Sequence, residues 1–405
     1  MKLVTTLAVT TLSVILLLFV PPDKQASAVL PIRELKNPAI PGSKAPSLTL
    51  NAKDTPLLAW VEPAGSTKVL KFASWDSHRW SAPRTVVQNP TIDADSAAPP
   101  FVVELPGGAF IAVWSQSVGD DQKNEGDFLL ASASTTEGKT WSAPVRIHTD
   151  QSISEHSFDS IAATASDEAT IVWLDSRADK SQHRYQLMSV VVDAKGHLRQ
   201  EETIDPDTCT CCPTAFASTQ DAAVVVYRGH NPQEIRDIKI ARRTSGKWDA
   251  PSLVHDDLWK INGCPVNGPA LSLNGSHLAV VWFTGAGDKA EIRLAKSDDL
   301  GRTFQPPVAL STQESGSRPL GHVAVTLLDS GTVVAAWLQR ENGATRLVAR
   351  TISPANIIGQ KYVIDAGTEQ GLGYPRIQRM GKSAMITWSG KTGADVRTAV
   401  IGEVQ

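Results

Sequence analysis

The sequence is short of helical pattern, net charge, long apolar runs and cysteine, and each shortage excludes something. Almost no stretch repeats apolar residues at the helical period, while 28 glycines and 25 prolines interrupt the chain at short intervals. That argues against a helical bundle and suits many short strands joined by turns. Lysine plus arginine number 39 against 42 aspartate plus glutamate, a formal net charge of −3, so no strong field draws nucleic acid or an acidic membrane. Beyond the first residues no run of about 18 apolar residues occurs, which excludes a later helical membrane span. The four cysteines all lie between positions 209 and 264.

What is present begins with a targeting segment. Lys2 supplies a weak basic start, Leu3–Val20 is apolar apart from threonines and one serine, and Ala26-Ser27-Ala28 has the small-x-small form of a cleavage site. Residues 1–28 are therefore expected to be a signal peptide, with Val29 the mature start and the protein exported to the periplasm or the medium. No cysteine directly follows the apolar run, so no lipid attachment is expected there. Residues 29–405 read as one domain of about 377 residues, a length that repeats can carry.

The repeat is a short apolar run ending in an aromatic: Leu58-Ala59-Trp60, Ala112-Val113-Trp114, Ile171-Val172-Trp173, Val225-Val226-Tyr227, Val280-Val281-Trp282, Ala335-Ala336-Trp337 and Ile386-Thr387-Trp388. The aromatics lie about 51 to 59 residues apart, a period that marks repeat architectures. Each repeat also has a Pro-flanked segment before the run, an alternating strand after it and a short last strand. The expectation is an all-β propeller of seven four-stranded blades, with six as the alternative. The seventh repeat lacks its outer strand, and Leu30–Leu35 resembles the outer strands of the others. It is expected to close the last blade and remove an exposed edge. The aromatics are expected to pack between neighbouring blades.

Ser297-Asp298-Asp299-Leu300-Gly301-Arg302-Thr303-Phe304 resembles the Asp-box of the sialidase and BNR-repeat superfamily, S-x-D-x-G-x-T-W, with Phe304 for Trp. Ser134-Thr135-Thr136-Glu137-Gly138-Lys139-Thr140-Trp141 is a second copy, and Thr244–Trp248 and residues 74–80 look like eroded ones. The resemblance implies structural turns on the face away from the site. Sialidases also share an Arg-Ile-Pro motif, an arginine triad, a Tyr nucleophile with a Glu partner and an Asp acid. No Arg-Ile-Pro occurs here, and seven repeats exceed the six typical of sialidases. A closer resemblance is to bacterial exported sialidase-like proteins with CxCC and GCPVNGP signatures, through Cys209-Thr210-Cys211-Cys212-Pro213, Tyr227-Arg228, Ile235–Ile238 and the stretch from Trp259 through Gly263-Cys264-Pro265-Val266-Asn267-Gly268-Pro269.

Propeller topology puts the loops leading into the inner strands and those leaving the second strands on one face, called the upper face below. An anionic ligand, an acidic glycan or a protein partner is expected there. Arg228, Arg318 and Arg376 come from different blades and are candidates to grip a carboxylate, sulfate or phosphate, with Arg236, Asn267 and His322 beside them. Against that stands local pairing with carboxylates. As an enzyme the chain would be a glycoside hydrolase of exo-alpha-sialidase type, or a lyase, with Tyr374 the nucleophile and Asp159 or Asp175 the acid. Packing is the competing role for Tyr374. Cys212-Pro213 and Cys264-Pro265 fall on matching repeat positions, so the sulfurs meet near the channel. Cys264 bonded to one of Cys209, Cys211 and Cys212 would staple blades four and five. The other readings are a copper(I) or zinc(II) site, aided by His156, His230 or His255, and a thiol-reactive centre.

Overall fold

A computed structural model describes residues 31–402 apart from 52, 77, 120–125 and 178–183. The expected signal peptide lies outside the described residues. Among them no helix is long and apolar enough to cross a membrane.

Seven antiparallel sheets follow one another along the chain, one per repeat, as blades of a β-propeller. Blade one shows the pattern: Lys44–Leu50 innermost, then Pro56–Ala64, Thr67–Ser74 and, outermost, Arg84–Asn89. The inner strands of blades two to seven are Phe101–Glu104, His156–Ala165, Ala215–Ser218, Ala270–Asn274, Ser317–Leu327 and Arg376–Met380. Blade seven closes as the sequence suggests, because Ile32–Leu35 pairs with Val396–Ile401, Ile32 opposite Ile401 and Leu35 opposite Thr398. The outer strand of blade two is only Val145–Arg146. Pro144 before it has no N–H to give a ladder.

The repeated aromatics explain the ring. All seven are at most 1% exposed, and each packs against the preceding blade. Trp114 joins Leu57 and Phe72 of blade one, Trp282 joins Val224 and Ile240 of blade four, and Trp60 joins Met385 and Val400 of blade seven. The apolar run that names the repeat is thus the interface between repeats. Its polar atoms are met by a second device. In blades four, five and seven an aspartate from the preceding blade or its outgoing loop accepts from the aromatic: Asp205 from Tyr227 (2.6 Å), Asp257 from Trp282 (2.7 Å) and Asp365 from Trp388 (2.9 Å). The residue paired with each aromatic on the third strand is a cation, Lys239, Arg293 or Arg397, and it binds the same aspartate. Burying a charged aspartate at an interface is tolerable because two donors meet it there.

The Ser297–Phe304 turn joins the third and fourth strands of blade five on the lower face. Asp299 accepts from the Thr303 amide (2.9 Å) and hydroxyl (2.6 Å), and the Gly301 amide donates to the Ser297 hydroxyl (2.8 Å). Gly301 has φ 76°, and a Cβ there would run into Ile240 of the previous blade. In blade two Thr136 takes the aspartate's place and accepts from the Thr140 amide at 2.9 Å.

Candidate functional site

At the upper face the chain departs from regular strand. Ala45, Phe158, Val266 and His322 have φ between 48° and 54° where a leading loop meets its inner strand. In blades one, three and six the ladder register shifts at that point. Such bulges re-aim the neighbouring side chains. Here they let the leading loops of blades four to seven interlock. A Cβ on Gly268 would overlap the Pro213 carbonyl. The Asn267 side chain accepts from the His322 amide (2.9 Å) and donates to the Leu320 carbonyl (3.1 Å). The His322 ring stacks on Tyr374, with centroids 3.9 Å apart. The Tyr374 hydroxyl then donates to the Val266 carbonyl at 2.5 Å.

This interlocking occupies most of the groups that the sequence offered for chemistry. Arg228 is 2% exposed, and it donates to the carbonyls of Asn267 (2.8 Å), Arg236 (2.6 Å) and Phe283 (2.8 Å). Arg318 is exposed and lies opposite Arg340 on the blade-six ladder. Only Arg376 of the three lines the channel, so they do not converge on one ligand. Arg236 donates to Glu234, the Ile261 carbonyl and the Cys209 sulfur. Tyr374 is buried, which raises its pKa, and its proton is held by a carbonyl rather than by a base. Asp175 is fully buried. Burial pushes its pKa up, but the side-chain and backbone bonds from Arg177, the field of nearby His156 and the bond from the Trp173 indole bring it net below the usual range. His156 Nε2 also lies 3.5 Å from Asp150 and 3.6 Å from Asp175. These three could approach a metal, yet Ser152, Ser154, Arg177 and Trp173 already bind the two carboxylates.

Asp159 is different. It is 4% exposed and neither carboxylate oxygen has a hydrogen-bond partner. Burial raises its pKa to about 7, against the pull of the Arg376 charge. Arg376, in turn, lies deep among protein atoms while keeping part of its surface on the channel, and burial lowers it to about 10. Its bonds are long, 3.3 Å to the Pro375 carbonyl and 3.4 Å to that of Ser96. Ser96 and Asp95, which adds to the field on Arg376, come from the loop before blade two and have no sequence motif to announce them.

The cysteines meet as expected. Cys211 and Cys264 form a disulfide that staples the loops before blades four and five. Cys209 and Cys212 remain thiols, buried, with sulfurs 3.4 Å apart. The bond with Cys212 lowers the Cys209 pKa against the effect of burial, helped by the Cys211 amide, the Arg228 charge and the Arg236 hydrogen bond. Burial and the neighbouring Cys209 raise Cys212. With two sulfurs joined, the four-sulfur metal set considered from the sequence is reduced to two thiols.

The roomy end of the channel is the lower one, the face of the structural turns. There a cavity of about 660 Å³ is lined by the far ends of six inner strands and the turns after them. Thr49, Asn51, Thr164, Ser218, Thr219, Gln220, and Gln378 contribute hydroxyls and amides. Arg379 sits at its wall, donating to Asp54 (2.8 Å) and the Leu273 carbonyl (3.2 Å). The period had shown where these turns lie, but their residues form no motif.

The chain matches no family model and no curated protein. Solved structures do match. A polysaccharide lyase described as an ulvan lyase aligns with a TM-score of 0.57 and 10% identity, over 92% of this chain and 96% of that one. A mutant alpha-L-arabinofuranosidase from Fusarium graminearum, bound to an iminosugar inhibitor, gives 0.51 and 13% over 91% and 98%. The sialidase of Trypanosoma rangeli gives 0.44 and 12% over 81% and 56%. At these identities the first two likenesses show a shared fold.

Proposed function

We propose that the protein is an exported carbohydrate-binding propeller that holds a glycan in the lower cavity without cleaving it by sialidase-type chemistry. The cavity carries this reading. Its volume of about 660 Å³ falls within the range of about 300 to 1,000 Å³ typical of small-molecule sites. Its wall of hydroxyls and amides, with Arg379 and the carboxylates of Asp54 and Glu104, suits a polyhydroxylated ligand. The glycan-active names of the fold neighbours support the ligand class. The two lower-face turns, read as Asp-boxes, support a distant tie to the sialidase and BNR-repeat superfamily. Against hydrolysis at the upper face stand the Tyr374 hydroxyl, bonded to a carbonyl, and Asp175, bonded to Arg177.

Calorimetric titration with neutral and uronate-containing oligosaccharides tests this. Binding that weakens at least tenfold in Arg379→Ala is expected. A uronate preference that vanishes in the variant would identify Arg379 as a carboxylate grip. Absence of binding across the panel, or binding indifferent to Arg379, would overturn the proposal.

A further inference from the structure

The two free thiols lie beside a disulfide in a way that packing alone does not explain. The sulfurs of Cys209, Cys211 and Cys212 are all within 4.8 Å of one another. Cys209 and Cys212 are at most 1% exposed, whereas Cys264, the far end of the Cys211 disulfide, is exposed. The spacing Cys209-x-x-Cys212 is that of dithiols that open and close.

The charges around the thiols point the same way. Arg228 is a buried cation whose hydrogen bonds all go to neutral carbonyls, with Trp259 4.8 Å from the guanidinium. Among the described residues no carboxylate pairs with it. A buried charge needs a counter-charge close by. The Cys209 sulfur lies within reach of Arg228's field and accepts from Arg236 Nη1 at 3.3 Å. A thiolate there supplies the missing anion, and a thiolate is the species that attacks disulfides.

We propose that Cys209 and Cys212 form a redox-active dithiol that exchanges with the Cys211–Cys264 disulfide, passing its reducing equivalents to a surface thiol. Cys209 thiolate attacks the Cys211 sulfur. The Cys209–Cys211 bond forms, the Cys211–Cys264 bond breaks, and Cys264 leaves as thiolate. Cys212 then attacks the Cys209 sulfur, its proton passing to the released Cys211 thiolate, which forms Cys209–Cys212 and leaves Cys211 as a thiol. Two thiols and one disulfide become two thiols and one disulfide, so no outside oxidant or reductant is needed. The staple between blades four and five opens while the oxidised pair moves inside.

Native full-length protein is treated with excess N-ethylmaleimide, quenched in acid and mapped by mass spectrometry without reduction. The expected result is label on Cys264 together with recovered Cys209–Cys211 or Cys209–Cys212 peptides. Labelling of Cys264 falls at least tenfold in Cys209→Ser. In Cys212→Ser it persists, with Cys209–Cys211 as the trapped pair. Circular dichroism establishes that each variant is folded, and the wild-type map decides the matter if one is not. An intact Cys211–Cys264 disulfide after hours, with or without label on Cys209 or Cys212, overturns the proposal. So does a copper or zinc ion recovered at one per chain with all thiols protected.

Discussion

Replacing Asp159 with asparagine should stabilise the protein at alkaline pH and leave it almost unchanged near pH 4. The carboxyl has a pKa of about 7 in the folded chain against 3.8 for an ordinary aspartate, because burial disfavours its charge. Below pH 4 both folded and unfolded chains hold the proton, and the group contributes no pH dependence. Between about 4 and 7 the unfolded chain releases it while the folded chain keeps it, so stability falls as pH rises. Above 7 both are ionised and the cost is constant. The gap between 3.8 and about 7, at about 1.36 kcal/mol per pH unit, gives a cost of about 4 kcal/mol. Asparagine keeps the shape and cannot ionise, so its advantage should grow from near zero at pH 4 to about 4 kcal/mol at pH 8. With about 2.1 cal/mol/K of unfolding entropy per residue, that is roughly 5 °C in melting temperature for a domain of this length. Calorimetric melts of both proteins from pH 4 to 8.5 measure it. Parallel curves would refute the reasoning, for they would mean that Asp159 is hydrated or paired with Arg376 in solution.

Two further substitutions probe the frame. Trp282→Ala removes the packing of blade five on blade four and the indole donor to Asp257; equilibrium denaturation should show a loss of about 3 to 5 kcal/mol, and a loss below 1 would deny the aromatic its interface role. Tyr374→Phe deletes one hydrogen bond to the Val266 carbonyl; it should cost about 1 kcal/mol and leave glycan affinity unchanged, while turnover of a fluorogenic sialoside that vanished with this change would restore Tyr374 as a nucleophile.

The architecture was legible because its signal is local and repeated. Each apolar run ending in Trp or Tyr must be buried on both faces, and seven of them at one spacing leave few arrangements besides a ring. The closure by Ile32–Leu35 followed from counting strands in the last repeat. The Asp205, Asp257 and Asp365 contacts were less visible, since each aspartate sits in or just beyond the blade before its partner aromatic. The site was legible only in part. The repeat overlay brought Cys264 to the clustered cysteines, but the choice of Cys211 over its neighbours depends on how one loop turns. The lower cavity is built from unremarkable threonines, serines and glutamines at strand ends, and nothing in their order distinguishes a wall from a surface.

The arginines show why residue type and topology were insufficient. Arg228, Arg318 and Arg376 all belong to the upper face, yet desolvation sorts them. Arg318 stays in water and costs nothing to keep. Arg228 is almost fully buried, and three carbonyls from three segments take up its N–H groups while the Cys209 sulfur lies in its field. Those bonds make it a clamp between blades four and five and leave it no fork for a ligand. Arg376 is the intermediate case, with long carbonyl bonds and a lowered pKa. Its field also eases the cost of ionising Asp159. Removing that field in Arg376→Gln should raise the Asp159 pKa further and extend the fall of stability beyond pH 7. The double variant with Asp159→Asn should lose that slope. If the slope survived in the double variant, it would have to come from another buried group, and the assignment of the pH dependence to Asp159 would fall.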